Sequence, residues 1–271
     1  MGDHLQITFR NIQPAQSELL IAQLADHYYE GFEEEENILK AFIQQEKFDR
    51  SLLDELSARY TLSFDQEIIR EQNWNEVWES NFHPVIVDDF VAIRADFHQP
   101  VKNVEYEIVI TPKMSFGTGH HATTYMMIEL MEDVDFKNKT VLDFGTGTGI
   151  LAILAELSGA EKIYAIDNDD WSIENAKENF QKNNCRRISL QKALDASSDK
   201  KFDIILANIN KNVILENFEV LKNELESDGM LLLSGLLEKD RDDIITKAKE
   251  LKLNEKTSLA RNNWIAIQLS K

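Results

Sequence analysis

The stretch VLDFGTGTGI, residues 141–150, decides how the rest of the chain is read. An apolar run reaches Asp143, and glycines then stand at 145, 147 and 149. Glycine permits a sharp turn and lets a ligand lie on the backbone without meeting a Cβ. The pattern predicts a strand, a bare turn and a helix starting near Thr148, whose free N–H groups and positive dipole end face the turn. Asp167, in YAIDND at the end of the next strand, lies 22 residues beyond Gly145. An acid there can accept both hydroxyls of a ribose. Its alternative role is to cap the helix beginning near Trp171, for which Asp169 and Asp170 are better placed. The same glycines also fit the dinucleotide fingerprint as Gly147-x-Gly149-x-x-Ala152. Loop and acid therefore predict an adenosine cofactor and leave NAD and S-adenosylmethionine both open.

From residue 139 onward strands alternate with helices: TVLDF, KIYAID, ISLQ, DIILA and MLLLS, with helical stretches between most of them. Such alternation predicts a parallel sheet covered on both faces. The end breaks the rhythm. KTSLARNNWIAIQLS (256–270) reads as two strands joined by a tight Asn262-Asn263 turn, which places an antiparallel strand in the sheet. A reversed last strand is expected of the seven-stranded, Rossmann-like class I methyltransferase sheet and not of a standard dinucleotide fold.

The first seventy residues have a different pattern. Leu5, Ile7 and Phe9 alternate with polar residues as in a half-buried strand, and Leu20, Leu24 and Tyr28 mark a helix over about 15–28. GFEEEENILKAFI reads as a hairpin with an acidic turn; a second helix carries Phe48, Leu52 and Leu56, and Leu62 and Phe64 open a last strand. This order is that of a small α+β ferredoxin-like domain. The expected division is a recognition domain over 1–68, a linker helix over 69–82 with Trp74 and Trp78 on one side packing the junction, and the cofactor domain over 83–271. Short apolar strands are expected at 85–87, 91–93 and 106–111.

Composition narrows the partners. The 271 residues carry 48 acids against 29 bases, a net −19, and six bases against fourteen acids over residues 1–70 leave that segment at −8. A binder of nucleic acid by phosphate neutralisation is not expected; a small molecule or a basic protein fits the charge. The single Cys185 forbids an internal disulfide and fits a reducing cytosol. No secretory signal and no membrane-spanning apolar run is visible, so a cytoplasmic location is expected, and a monomer is expected separately. His120 and His121 are adjacent instead of four apart, so no metal site is expected, and no G-x-S-x-G elbow offers a nucleophile.

Three features separate the two cofactors. One is the terminal hairpin. Another is Ala207-Asn208-Ile209-Asn210 at the end of the fourth strand, where asparagine resembles the motif with which amine-methylating enzymes orient a nitrogen nucleophile; a plain helix cap is the alternative. The third is MSFGTGHHATT (114–124), a second glycine turn leading into a helix, in which Thr123 and Thr124 are also possible caps. Together, WNEVWESNFHPV, FGTGHHATT, VLDFGTGTGILAI, IDND and ANIN resemble the methyltransferases that modify ribosomal protein L-eleven of the large subunit. The resemblance covers roughly residues 70–270 by motif and the N-terminal part by fold pattern only. It departs from that family at Asn210, usually apolar, and at TPKM (111–114), usually an acidic-proline turn.

The resemblance implies S-adenosylmethionine as cofactor, a large-subunit ribosomal protein as partner, and lysine and N-terminal amines as acceptors. Carried onto this sequence, it implies contacts from Phe116, Thr118, Gly119, Thr124, Gly145, Gly147, Gly149, Asp167 and Asn208, with Asn208 also placing the amine. Thr124 and the FGTG turn would close over the methionine end, and Phe116 either contacts the sulfonium or packs. The competing readings are a methyltransferase for another protein or a small molecule, an NAD-dependent dehydrogenase, and a non-catalytic ribosome-associated protein that keeps the fold.

Overall fold

Alternation of buried and exposed side chains builds the first unit of the computed structural model, which describes residues 4–69, 82–113 and 117–271. Strand β1 (His4–Arg10) is followed by α1 (Pro14–Ala25), the hairpin β2 (Tyr29–Glu35) and β3 (Ile38–Gln44), then α2 (Arg50–Tyr60) and β4 (Ser63–Ile69). The four strands form an antiparallel sheet in the order β2-β3-β1-β4. Leu5, Ile7 and Phe9 share a buried face with Leu39, Ala41 and Ile43, and the two helices cover it with Leu20, Leu24, Leu53 and Leu56. Helix α1 stops before Tyr28, contrary to the four-residue pattern. Tyr28 sits at φ +68° and is largely exposed, so the spacing continued past the point where the chain turned into β2.

The chain divides into two compact units, Met1–Asn81 and Phe82–Lys271. The tryptophan helix expected around Trp74 and Trp78 lies outside the described residues. The second unit opens with β5 (Val85–Val87), β6 (Val91–Ala95) and β7 (Tyr106–Ile110), a three-stranded sheet in which β5–β6 is antiparallel and β6–β7 parallel.

Helix α3 (Ala122–Glu132) leads into the main sheet. Its elements are β8 (Thr140–Phe144), α4 (Ile150–Leu157), β9 (Lys162–Asp167), α5 (Asp170–Lys182), β10 (Ile188–Lys192), β11 (Phe202–Asn208), α6 (Lys211–Glu224), β12 (Leu225–Leu237), α7 (Arg241–Glu250), β13 (Asn254–Arg261) and β14 (Trp264–Ser270). The seven strands are ordered β10-β9-β8-β11-β12-β14-β13. Neighbours up to β12 run parallel, while β14 is antiparallel to both β12 and β13. Asn262 and Asn263 both have positive φ, +51° and +65°, the geometry a tight two-residue hairpin demands. β8 and β11 lie at the centre, and the order reverses between them. That crevice, beyond the carboxyl ends of the strands, is where open α/β sheets bind ligands.

Candidate active site

The glycine turn follows β8 and is held by backbone bonds. Gly145 and Thr146 both donate to the Ile166 carbonyl on β9, at 2.9 and 3.0 Å. Gly147 donates to Asp167 Oδ2 at 2.9 Å, and Asp169 donates to Asp167 Oδ1 at 3.0 Å. Asp167 therefore braces the turn, and each oxygen keeps a further lone pair for a hydroxyl. It does not cap α5; Asp169 does, accepting from Ser172 N at 2.8 Å. Two of the three glycines are required by the chain itself. A Cβ on Gly145 would lie 2.2 Å from Ile209 Cγ2, and one on Gly149, the N-cap of α4, 2.4 Å from Phe180. Gly145 and Gly147 line the cavity described next, and Gly149 packs behind it.

A cavity of about 420 Å³ opens at the switch point. One end is walled by Asp167, Ser172 and Leu194, the other by Asn208, His121 and Trp264. A narrower cleft, lined by Gly117, Thr124, Thr146, Thr148 and Asn208, continues between the second glycine turn and the first. Asn208 borders both spaces. Its side-chain nitrogen donates to Thr124 Oγ1 at 3.2 Å, and its buried Oδ1 has no hydrogen-bond partner among the described residues. It caps no helix: the N-cap of α6 is Asn210, whose side chain accepts from Val213 N at 3.1 Å. Thr123 and Thr124 cap nothing either, since the N-cap of α3 is His121.

The remaining sequence candidates are placed differently. Thr118 pairs its hydroxyl with His120 Nδ1 at 3.2 Å, and a Cβ on Gly119 would meet Ile93 at 2.6 Å. Neither is among the residues lining the cavity or the cleft. Phe116 lies outside the described residues. Several wall residues were not among the sequence candidates, Leu194, His121 and Trp264 among them. Leu194 is 83% exposed on the loop after β10, His121 opens α3, and Trp264 starts the reversed strand with its ring 4.8 Å from that of His121. His121 lies within the FGTGHHATT motif and Trp264 directly after the Asn262-Asn263 turn, whereas Leu194 carried no visible signal.

Beneath the turn, burial pushes the Asp143 carboxyl from an ordinary 3.8 up to about 7, with the Asp167 charge adding to the rise and the Thr146 hydroxyl, 2.6 Å away, opposing it. The folded chain thus keeps this proton to higher pH than the unfolded chain. The stability Asp143 contributes is fully present below about pH 4 and is lost as pH rises through about 7. Asp143→Asn cannot ionise, so its melting temperature relative to wild type should climb across that window and then level off. Parallel pH dependences for the two proteins would mean that the carboxyl titrates normally.

Both Asp167 oxygens on the cavity wall and the orphaned Asn208 acceptor fit a ligand with a ribose at one end and a polar group at the other. A sheet in this order with β14 reversed, a glycine turn after β8 and an acid ending β9 define a class I S-adenosylmethionine-dependent methyltransferase. The family described as Ribosomal protein L11 methyltransferase (PrmA) matches residues 8–271. The chain belongs to that family. It is 39% identical to the ribosomal protein L11 methyltransferase of Porphyromonas gingivalis, over 93% of this chain and 90% of the relative. It is 36% identical to that of Phocaeicola vulgatus over 98% of both. A crystal structure of ribosomal protein L11 methylase from Lactobacillus delbrueckii subsp. bulgaricus superposes with a TM-score of 0.66 at 33% identity, covering 70% of this chain and 99% of that one. S-adenosylmethionine is accordingly the cofactor, and the dehydrogenase alternative falls.

Among the described residues no cluster of His, Cys, Asp or Glu suits a metal ion, and no helix is long and apolar enough to cross a membrane. Asp167→Ala should weaken S-adenosylmethionine binding at least about tenfold, since charge-assisted bonds to ribose hydroxyls contribute roughly 1.5–3 kcal/mol each. Calorimetry beside a melting curve checks it. Unchanged affinity would leave the acid as a brace for Gly147 alone.

Proposed function

We propose that this enzyme methylates amine nitrogens, of lysine side chains and of the chain N-terminus, on ribosomal protein L11 in the cytoplasm. The observation that carries the choice of nitrogen is Asn208. Its Oδ1 is buried and unpaired at the junction of cavity and cleft, with the amide held from behind by Thr124. A neutral amine has a hydrogen to donate to such an acceptor, and that bond aims its lone pair away from Asn208.

S-adenosylmethionine supplies a methyl group on a positively charged sulfur, which leaves as a sulfide when a nitrogen attacks in line. The chain's share of the work is placement. Asp167 would hold the ribose, Gly145 and Gly147 would lie against the cofactor, and Thr124 with the Gly117 turn would enclose its methionine end. Asn208 would hold the nitrogen, and orientation of this kind can supply much of a rate acceleration. The amine must also arrive without its proton, because free lysine with a pKa of about 10.4 is charged near neutrality. Trp264 and the aliphatic wall around Ile209 disfavour the charged form by desolvation, so the proton leaves to water as the amine enters.

Recognition of the protein substrate is assigned to the N-terminal unit. The sheet face opposite its helices carries Glu33, Glu35, Asp65 and Glu67, against Lys40 and Arg10, which are already ion-paired to these acids. That surplus of negative charge suits a basic protein. Mass spectrometry of ribosomal proteins from cells with and without the enzyme tests the proposal. Methyl groups on L11 amines should vanish with the enzyme; an unchanged L11 spectrum would sink it.

A further inference from the structure

The edge of β7 not paired to β6 is closed by side chains in place of a strand. Asn183 Oδ1 accepts from Val109 N at 2.9 Å, and its Nδ2 donates to the Val109 carbonyl at 2.7 Å. Two residues along, Asn179 Oδ1 accepts from Thr111 N at 2.8 Å, and Asn175 Nδ2 donates to the Thr111 carbonyl at 3.1 Å. The match is geometric. Four helical residues rise about 6 Å and two strand residues about 6.6 Å, so Asn179 and Asn183, four apart, meet the alternate residues Thr111 and Val109, and Asn175 joins Asn179 at Thr111.

Asn179 does more than complete the ladder. Its Nδ2 donates to the Thr148 carbonyl at 2.8 Å, and Thr148 Oγ1 in turn donates to the Gly117 carbonyl at 2.6 Å. Asn179 and Thr148 are both fully buried. Thr111 is therefore tied through Asn179 and Gly117 through Thr148, and the two ties meet at the glycine turn after β8. The contact is close as well: a Cβ on Gly117, at φ +103°, would lie 2.9 Å from Thr148 Oγ1. Gly117 and Thr148 both line the cleft between the two glycine turns, so their bond joins the two turns along it.

We propose that Asn179 and the Thr148 hydroxyl are positioning residues that set the width of this cleft, and with it the affinity for the amino-acid end of the cofactor, while leaving the adenosine end alone. The proposal rests on the placement of the methionine end between the turns given above. A purely structural role would instead cost fold stability and weaken every ligand alike.

Two ligands divide these cases: S-adenosylhomocysteine, and 5′-methylthioadenosine, which keeps adenosine and sulfur but lacks the amino-acid end. Calorimetry on full-length Thr148→Val should show S-adenosylhomocysteine binding about tenfold more weakly, the scale of one lost hydrogen bond, with methylthioadenosine within about twofold of wild type. Thr148→Ser, which keeps the hydroxyl, should restore the affinity. Asn179→Asp keeps the acceptor for Thr111 N but sets a carboxylate against the Thr148 carbonyl, and should give the same selective loss. If that variant does not fold, the Thr148 pair decides alone. Equal weakening of both ligands, or no weakening of S-adenosylhomocysteine, would overturn the proposal. Failure of wild type to prefer S-adenosylhomocysteine over methylthioadenosine would instead overturn the placement of the methionine end.

Discussion

Asn208→Ala should transfer methyl groups about 10²-fold or more slowly than wild type, the scale of a lost positioning contact at the reacting atoms. S-adenosylmethionine affinity should change far less, because the Asp167 end of the cavity is untouched. The variant also loses the bond to Thr124, which should cost about 1 kcal/mol of stability. No helix end is weakened, since Asn210 caps α6. Single-turnover transfer, cofactor binding and melting temperature on the same protein separate these effects. Normal turnover in a slightly less stable protein would remove Asn208 from the chemistry.

A fragment beginning at Phe82 should bind S-adenosylmethionine as the whole chain does yet lose methylation of intact ribosomal protein L11. Every residue assigned to the cavity and cleft lies beyond position 82, and residues 1–81 form a compact unit of their own. Binding energy gathered away from the reacting atoms holds a protein substrate in place, so its removal should cost at least about 10²-fold in kcat/KM. Calorimetry on the fragment establishes that the cofactor site is intact, and transfer of labelled methyl to L11 gives the comparison. Full activity of the fragment would place recognition in the catalytic unit.

Much of this arrangement could be read from local pattern. TVLDF and KIYAID coincide with β8 and β9 residue for residue, because a buried parallel strand is a short apolar run bounded by turns. The reversed strand was legible in Asn262-Asn263, since few residues other than asparagine and glycine tolerate positive φ twice in succession. What escaped depends on distance along the chain. That Asn210 caps α6 while Asn208 reaches Thr124 turns on an 84-residue separation that no window reveals. Trp264 and Leu194 enter the cavity wall only once the sheet has formed. Asparagines stand plainly at 175 and 179 in α5 and at 183 just after it, yet their meaning lies in backbone groups 64 to 74 residues away. Tyr28 misled for the opposite reason: an apolar residue at the right interval counts toward a helix even after the helix has ended.

The packing of Gly145 against Ile209 and of Gly149 against Phe180 bears on how pseudoenzymes of this fold would be recognised. A descendant that had abandoned its cofactor would still be obliged to keep both glycines, because a side chain at either would collide with its own interior. The glycine pattern would thus outlive the activity. Decay would instead surface at positions whose buried or braced polar atoms have no other employer, Asn208 first, while Asp167 would linger as long as it tethers Gly147. A chain with the full run of glycines but an apolar residue at the Asn208 position would keep this fold without the acceptor assigned here to the amine, whatever its motif promised.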